Sequence, residues 1–396
     1  MSTKILEGSG KTIMTNVATP NSSLNESMRN VRRRCEGGVA IGVERATAIR
    51  LVAALALLLP PAGVCRAGAD EPTLARFEYS EPHMGTEFKL VLYSADRDTA
   101  NQAAAAAYAR VAKLNKALSD YDPTSELTRL SATAGSGRAV AVSPDLWFVL
   151  ERAQRLAAES EGAFDVTVGP MVKAWRSARR TKTFPSDERL AKASAPVGYR
   201  YLRLDPERRT AELLQPNMLL DLGGIAMGYA ADEALKILNK HGLTRAMIDA
   251  SGDIRCGDAP PGRRAWLIGI APLTESKGPP SRYVELVNGA LTTSGDAFQF
   301  VELAGTRYSH IVDPRTGLGL TNRSSVTITA PDCLTADSLA TAVSVLGPEA
   351  GLKLLAKYQG AEAFIVREVD GKLTTTQSAG FRSTPEPSQH NSSVVR

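Results

Sequence analysis

Residues 221–229 read Asp221-Leu-Gly-Gly-Ile-Ala-Met-Gly-Tyr229, a segment in which a predicted strand runs through a pair of glycines into a predicted helix. The backbone N–H groups of such a turn can approach a phosphate, and the positive end of the helix dipole favours the negative charge. The glycine spacing fits neither the G-x-G-x-x-G pattern nor the P-loop pattern, and a tight turn with a structural role explains it as well. The segment therefore predicts a strand, a turn and a helix, and it leaves the ligand open.

The elements on either side of this segment follow the order of a mixed α+β domain. Strands are predicted at residues 87–93, 201–204, 211–214, 218–221, 245–249, 266–270, 283–287, 291–294 and 326–329, and helices at residues 99–120, 143–160, 225–240 and 334–346. Asn288-Gly289 predicts a two-residue hairpin between the strands that flank it. Because strands and helices do not alternate strictly, a doubly wound Rossmann sheet is disfavoured. We expect one α+β domain over residues 70–381, with mixed sheets and flanking helices, followed by a disordered tail at residues 382–396.

The first 69 residues have the pattern of an export leader. The basic run Val31–Arg34 precedes the apolar run Leu51–Leu59, which is too short to span a bilayer comfortably, and Ala67-Gly-Ala69 is an A-x-A site for signal peptidase. The protein is therefore predicted to be exported to the periplasm, with a mature chain that begins near Asp70. Three alternatives stay open: a start at Met28, a lipid anchor at Cys65 that tethers the protein to the inner membrane, and a buried core helix in place of the leader.

The net charge of +5 on the 396 residues lies in this leader. Residues 1–69 hold nine basic and four acidic side chains, so the rest of the chain has no formal net charge. Electrostatic capture of nucleic acid by the exported domain is therefore not expected. Two of the four cysteines also lie in the leader, and Cys256 and Cys333 are predicted to be unpaired structural residues rather than a disulfide.

The predicted helix 334–346 carries a carboxylate and a hydroxyl four residues apart. Asp337 and Thr341 share one face of that helix, near its start and among apolar neighbours. Hard oxygen ligands of this kind suit Mg²⁺. Asp and Thr are also ordinary residues of a first helical turn, so the spacing alone leaves both interpretations open.

His310, Asp296 and Tyr121 are further candidates for chemistry. His310 stands in the strand and turn 308–317 and is the best general base or phosphate-contacting group that the sequence offers, although a structural role in the turn fits as well. Asp296 follows the predicted strand 291–294, where phosphate contacts and a simple turn are both compatible with the residues. Tyr121 lies on a loop just past a helix, where it can stack on a planar ring or serve as a half-buried packing residue.

Taken together and in order, these motifs resemble those of the ApbE family, the FAD:protein FMN transferases. The matching segments are His83–Thr86, Leu118–Tyr121, Ser125–Leu127, Gly162–Pro170, Asp221–Tyr229, Thr293–Asp296, Ser309–Gly317 and Ala336–Thr341. Each segment is short, but the ordered set runs from residue 83 to residue 346 and is specific. The resemblance implies an enzyme with a single α+β domain that binds FAD in a cleft, uses Mg²⁺, transfers the FMN half of FAD to a threonine hydroxyl of an acceptor protein and releases AMP.

The resemblance also implies which residues form the site. By this resemblance, Met84 and Tyr121 contact the flavin end of FAD. The adenosine or ribityl parts are bound by Ala163, Phe164, Asp165 and Asp221. Ile311 lines the pocket. Mg²⁺ at the diphosphate is bound by the backbone carbonyl of Gly224 together with Asp337 and Thr341. His310 assists proton transfer or contacts the phosphate, and Asp296 is the second candidate for the acid or base role.

Two positions depart from the family pattern. Met227, at a position that is usually assigned to FAD, stands where many members have Lys or another polar residue. We therefore expect Met227 to have a packing or backbone role, with weaker FAD binding. Ser251 stands where a glycine is common, so its side chain is expected in a tight turn.

Other functions fit the same residues. A Mg²⁺-dependent FAD pyrophosphatase would use water in place of the threonine and give free FMN and AMP, and a periplasmic flavin-binding protein would bind FAD without turnover. For the transferase, the resemblance points to a membrane-bound respiratory flavoprotein as the acceptor.

Overall fold

The computed structural model describes residues 73–274, 279–295 and 300–385, and its largest element is an eight-stranded sheet. The predicted leader with its alternatives, the candidate Asp296 and residues 386–396 lie outside the described residues. The strands are β1 Ala75–His83, β2 Thr86–Ser94, β3 Val140–Ala141, β4 Leu202–Asp205, β5 Thr210–Leu213, β6 Ala246–Ala250, β7 Asp253–Cys256, β8 Trp266–Ile270, β9 Arg282–Leu286, β10 Ala290–Gly295, β11 Phe300–Leu303, β12 Thr306–Ser309, β13 Ser324–Ala330, β14 Glu362–Val369 and β15 Lys372–Gln377. The α-helices are α1 Arg97–Leu118, α2 Glu126–Ser131, α3 Pro144–Glu159, α4 Gly169–Thr181, α5 Asp187–Ser194, α6 Ala226–Lys240, α7 Cys333–Leu346 and α8 Pro348–Leu355.

The large sheet has the strand order β1-β2-β6-β7-β10-β13-β14-β15, and every neighbouring pair in it is antiparallel. A Rossmann sheet is parallel, so this topology confirms that the fold is α+β. Three smaller sheets, β3-β5-β4, β8-β9 and β11-β12, complete the β-structure of the described residues.

Helices cover one face of the large sheet, and the β8-β9 hairpin covers the other. Side chains alternate between the two faces along β2: Leu90 and Leu92 join the core under α1, α6 and α7, whereas Val91 joins the core under β8 and β9. Helix α7 is buried along most of its length, and its polar residues Asp337 and Ser338 are each 4% exposed. The candidate metal ligand Asp337 therefore lies in the interior of the domain.

Local signals placed several elements correctly. Ser143 caps α3, since its hydroxyl accepts a hydrogen bond from the Leu146 amide at 3.3 Å, and Pro144 is the first helical residue. Helix α6 ends two residues before Gly242, which has a φ of 79°. The strands predicted at residues 201–204 and 211–214 correspond to β4 and β5, which pair as an antiparallel hairpin. Cys256 and Cys333 are both buried and unpaired, as expected.

The prediction of a hairpin at Asn288-Gly289 is wrong, because the strands on either side of this turn do not pair with each other. The strand before it, β9, pairs with β8, whereas the strand after it, β10, pairs with β7 and β13. The turn instead carries the chain from the small sheet to the large one: the Asn288 amide donates to the Gly257 carbonyl at 2.9 Å, and the Cys256 amide donates to the Gly289 carbonyl at 2.9 Å.

Two predicted boundaries also change. Residues 218–221 do not form a regular strand, because their pairing is limited to a single parallel bridge between Leu219 and Val168. Thr384, which the sequence assigns to a disordered tail, forms an antiparallel bridge with Tyr283 of β9. Within the part of the chain that the structure describes, no helix is long and apolar enough to cross a membrane.

Candidate active site

Helix α7, which carries the predicted metal ligands Asp337 and Thr341, contacts α6 at Gly228. A Cβ atom at this position would lie 2.3 Å from the Cys333 carbonyl oxygen and 2.8 Å from Cβ of Asp337, so only glycine allows α6 and α7 to approach this closely. The Gly228 amide donates a hydrogen bond to Oδ2 of Asp337 at 3.1 Å. Gly228, in the segment 221–229, thus holds the Asp337 carboxylate in place.

A second close approach brings Gly224 against Thr341. A Cβ atom at Gly224 would lie 2.7 Å from the Thr341 hydroxyl oxygen. The turn before it is held by Asp221, whose Oδ1 accepts a hydrogen bond from the Gly223 amide at 2.8 Å. Gly224 therefore packs against Thr341 at the start of α6, and Asp337 lies one helical turn before Thr341 on α7.

Buried carboxylates surround this point. Asp337 is 4% exposed, and its pKa is raised well above the ordinary value by burial and by the negative charges of Asp253 and Asp232, while the Gly228 amide acts in the opposite direction. Asp232 has its own partners, the Cys333 and Leu334 amides at 3.0 Å and Arg255 at 2.9 Å. Asp337 and Asp253 are buried carboxyl groups whose ionised forms a cation would stabilise.

The donor set fits Mg²⁺. A carboxylate, a hydroxyl and a backbone carbonyl are all hard oxygen donors, and the buried carboxylates make a divalent cation electrostatically favourable. Among the described residues no group of three His, Cys, Asp or Glu side chains forms a metal cluster. The candidate set is compatible with this finding because only one of its three members is a side-chain carboxylate.

Asp253 was not among the predicted site residues. It lies on β7 directly opposite Thr292 of β10, and burial raises its pKa to about 7 although the Thr292 hydroxyl opposes the shift. The sequence feature that pointed to this region was the tight turn expected at Ser251, two residues before Asp253. In the structure Ser251 has the left-handed φ of 60° and Gly252 a φ of 106°. These values confirm the tight turn expected at Ser251.

We expect Asp253→Asn to reduce the pH dependence of stability in the metal-free protein. The folded-state pKa of Asp253 lies above its unfolded value of 3.8, so the folded protein binds this proton more tightly and loses stability as the pH rises from about 4 to 7. Between pH 5 and pH 8 the loss amounts to at most about 3 kcal/mol. Urea unfolding with EDTA at pH 5 and pH 8 measures it, and an identical loss in both proteins would contradict the assignment.

The predicted adenosine or ribityl contacts lie in a buried loop after α3. Ala163, Phe164 and Asp165 are 1%, 4% and 6% exposed. Oδ1 of Asp165 accepts hydrogen bonds from the Thr167 amide at 2.8 Å and the Thr167 hydroxyl at 2.7 Å, and that hydroxyl accepts from the Gly198 amide at 2.8 Å. In this structure, therefore, the Asp165 carboxylate holds its own loop together.

This loop is tied to the other predicted segments. The Asp221 amide donates to the Val166 carbonyl at 2.8 Å, which joins it to the turn before α6. Ala163 also packs with Ile311 and with Val345 of α7 in a small apolar cluster. Three of the predicted segments, at residues 163–165, 221–224 and 311, thus meet near the C-terminal half of α7.

His310 lies directly before Ile311, at the end of β12, and is half-buried. Two side-chain contacts hold the turn that follows: Arg315 pairs with Asp313 at 2.8 Å, and the Trp175 indole donates to the Gly317 carbonyl at 2.8 Å. This arrangement holds the backbone of the His310 segment next to the apolar cluster that contains Ala163.

The predicted flavin contacts are more exposed. Tyr121 is 75% exposed, and the Arg176 guanidinium carbon lies 4.2 Å from the centre of its ring. Arg176 also pairs with Asp221 at 2.9 Å, which connects Tyr121 to the site. The sequence contains no local signal for Arg176, because its partners lie on separate segments.

Met84 and Met227 are the remaining residues predicted to bind FAD. Met84 occupies the β1-β2 turn with a φ of 49° and packs against the main core. Met227 is half-buried in the first turn of α6, directly before Gly228. Both the packing or backbone role expected for Met227 and its effect on FAD binding stay predictions.

An antiparallel α+β domain, with hard oxygen donors gathered where two helices meet at glycines, matches the class of protein that the sequence motifs indicated. The profile of the ApbE family matches residues 84–365, and the chain belongs to this family. The predicted family is therefore confirmed.

Similar proteins and solved structures support this family assignment. The FAD:protein FMN transferase of Vibrio cholerae is 32% identical over 325 residues, which are 81% of this chain and 94% of that protein. The FAD:protein FMN transferase of Haemophilus influenzae is 32% identical over 272 residues, 67% of this chain and 79% of that protein. The solved flavin transferase ApbE from Vibrio cholerae superimposes with a TM-score of 0.70 at 30% identity and covers 78% of this chain and 99% of that one. The ApbE protein from Thermotoga maritima superimposes with a TM-score of 0.68 at 28% identity and covers 76% of this chain and 96% of that one.

Proposed function

We propose that this protein is an FMN transferase that moves FMN from FAD to a threonine hydroxyl of an acceptor protein and releases AMP, with Mg²⁺ as the metal. The observation that carries the proposal is the packing of residues 224–228 on α7, which sets Gly224 against Thr341 and Gly228 against Asp337. Hard oxygen donors thus lie beside buried carboxyl groups whose ionised forms a cation would stabilise. The relatives named FAD:protein FMN transferase support the reaction.

In the proposed reaction the threonine oxygen attacks the phosphorus of the FMN half. A phosphoester bond to threonine forms, the bond to the AMP phosphate oxygen breaks, and the hydroxyl proton is removed. When bound by the Gly224 carbonyl, Asp337 and Thr341, Mg²⁺ supplies charge neutralisation at the diphosphate. The loops at residues 163–165 and 221–224 orient FAD, and His310 takes the hydroxyl proton or contacts the phosphate.

The proposal includes the cellular setting. The basic and apolar runs of residues 31–59 support export to the periplasm, and the acceptor is proposed to be a membrane-bound respiratory flavoprotein subunit. Both follow from the sequence and the family resemblance.

The function is tested by incubating the protein with FAD, Mg²⁺ and solubilised membrane proteins of the source organism. Denaturing gels viewed under ultraviolet light should show a covalently fluorescent band, and mass spectrometry of its peptides should find FMN on a threonine. FMN released only in free form would favour the pyrophosphatase, and FAD left intact would overturn the proposal.

We expect His310→Ala to lower the rate of FMN transfer by about 10²- to 10⁴-fold, the range of general acid–base catalysis. If His310 acts on the hydroxyl proton, FAD affinity should stay within about twofold, because the proton is transferred only in the reaction. Transfer kinetics and equilibrium binding of FAD measure the two effects separately. A loss of FAD affinity as large as the loss of rate would instead assign His310 to the phosphate, and an unchanged rate would exclude both roles.

A further inference from the structure

Arg176 on α4 joins three separate parts of the chain. One guanidinium nitrogen bonds the carboxylate of Asp120, another bonds Asp221 at 2.9 Å, and the guanidinium carbon lies 4.2 Å from the centre of the Tyr121 ring. Asp120 and Tyr121 are on the loop after α1, whereas Asp221 is in the turn before α6. A single side chain therefore links the exposed tyrosine to the turn that leads to Gly224.

The charge of Arg176 is matched by these partners. Burial lowers its pKa, but the carboxylates of Asp221 and Asp120 act in the opposite direction and raise the pKa above its ordinary value. Arg179, one turn further along α4, differs: burial and the neighbouring Arg176 lower its pKa, and its Nη1 atom is buried without a hydrogen-bond partner among the described residues. Arg176, and not Arg179, is thus the arginine that the two aspartates hold.

A tyrosine ring that is 75% exposed would ordinarily move among several rotamers. The guanidinium of Arg176 covers one face of the Tyr121 ring and leaves the remaining surface accessible. Arginine is suited to this task because its planar group can bond two carboxylates and stack on a ring at the same time, which lysine cannot do.

We infer that Arg176 is a positioning residue for flavin binding, which fixes the Tyr121 ring so that its accessible surface is ready to stack on the isoalloxazine ring of FAD. The inference rests on the proposed function for the identity of the ligand. Holding the ring in place before FAD binds lowers the entropy lost on binding, so the contribution of Arg176 should appear in the affinity for the flavin end of the ligand.

The test compares Arg176→Lys with the control Arg180→Lys, an exposed arginine on the same helix. Arg176→Lys keeps the positive charge beside Asp120 and Asp221, so the fold should be retained, and circular dichroism checks this. We expect FAD to bind about fivefold more weakly to Arg176→Lys, whereas ADP-ribose, which lacks the flavin, should bind within about twofold of the original protein. In a Tyr121→Ala background the same substitution should have little further effect on FAD. Arg180→Lys should change neither affinity.

A second measurement needs no FAD. The protein is labelled with fluorotyrosine, and the Tyr121 resonance is assigned from its loss in Tyr121→Phe. We expect Arg176→Lys to shift this resonance towards that of a solvent-exposed tyrosine. An unchanged resonance, or an equal loss of FAD and ADP-ribose affinity, would overturn the inference. If FAD failed to bind the original protein, the proposed function would fail, while the resonance would still decide whether Arg176 positions Tyr121.

Discussion

Asp337→Asn is expected to abolish Mg²⁺-dependent FMN transfer, with a loss of at least about 10³-fold. Asparagine is nearly isosteric and can still accept the hydrogen bond from the Gly228 amide, which is 3.1 Å from Oδ2 of Asp337 in the structure. The substitution therefore removes the negative charge and leaves the α6-α7 contact in place. Transfer assays over a range of Mg²⁺ concentrations measure the loss.

The same variant should keep or raise its melting temperature without metal. Burial and the charges of Asp253 and Asp232 raise the pKa of Asp337, so its charged form is unfavourable in the folded protein at neutral pH. Mg²⁺ should raise the melting temperature of the original protein but not that of Asp337→Asn.

The matched control is Asp332→Asn, at the N-cap of the same helix. Its side chain accepts a hydrogen bond from the Thr335 amide at 2.8 Å, and asparagine caps helices about as well as aspartate. We expect its transfer activity to stay within about twofold. Normal Mg²⁺-dependent transfer by Asp337→Asn would refute the metal assignment.

Gly228→Ala is expected to have the largest effect on stability. The added methyl group would lie 2.3 Å from the carbonyl oxygen of Cys333 and 2.7 Å from its carbonyl carbon, and this backbone belongs to the buried helix α7. At an open helix position the same change would stabilise by up to about 1 kcal/mol. Here α6 and α7 must separate, so we expect a loss of about 3 kcal/mol in the free energy of unfolding, measured in urea.

The control for this prediction is Gly289→Ala. Its added Cβ would be 3.5 Å from its nearest neighbour, the Ala330 carbonyl oxygen, which is an ordinary contact. We expect a change within about 0.5 kcal/mol. A Gly228→Ala protein as stable as the original would show that the two helices are not in such close contact. Because Asp337 and Thr341 lie on α7 and Gly224 lies just before α6, Gly228→Ala should also lose Mg²⁺-dependent transfer.

Features that depend on neighbouring residues could be predicted from the sequence. The cap at Ser143 and the hairpin of β4 and β5 depend on side chains a few residues apart. The shared helix face of Asp337 and Thr341 follows in the same way from helical geometry. The contacts of both with the glycines of residues 221–229 required the fold, although the ordered motifs had already placed these segments in one site through the family resemblance.

Features that depend on the choice of distant partners could not be predicted. Asn288-Gly289 has the composition of a hairpin turn, but nothing in those two residues specifies that β10 pairs with β7 and β13. Asp253 is likewise near Asp337 only because α7 packs against the large sheet. Arg176 lies 55 positions after Tyr121 and 45 before Asp221, and only the tertiary structure brings the three together.

The most direct test of the central claim is the stoichiometry of one reaction. The protein is incubated with FAD, Mg²⁺ and an acceptor identified by its fluorescent band, and AMP released and FMN attached are both quantified. We predict one AMP for each FMN on threonine, and no attachment when that threonine is replaced by alanine. AMP release without attachment, or attachment that persists without the threonine, would contradict the account.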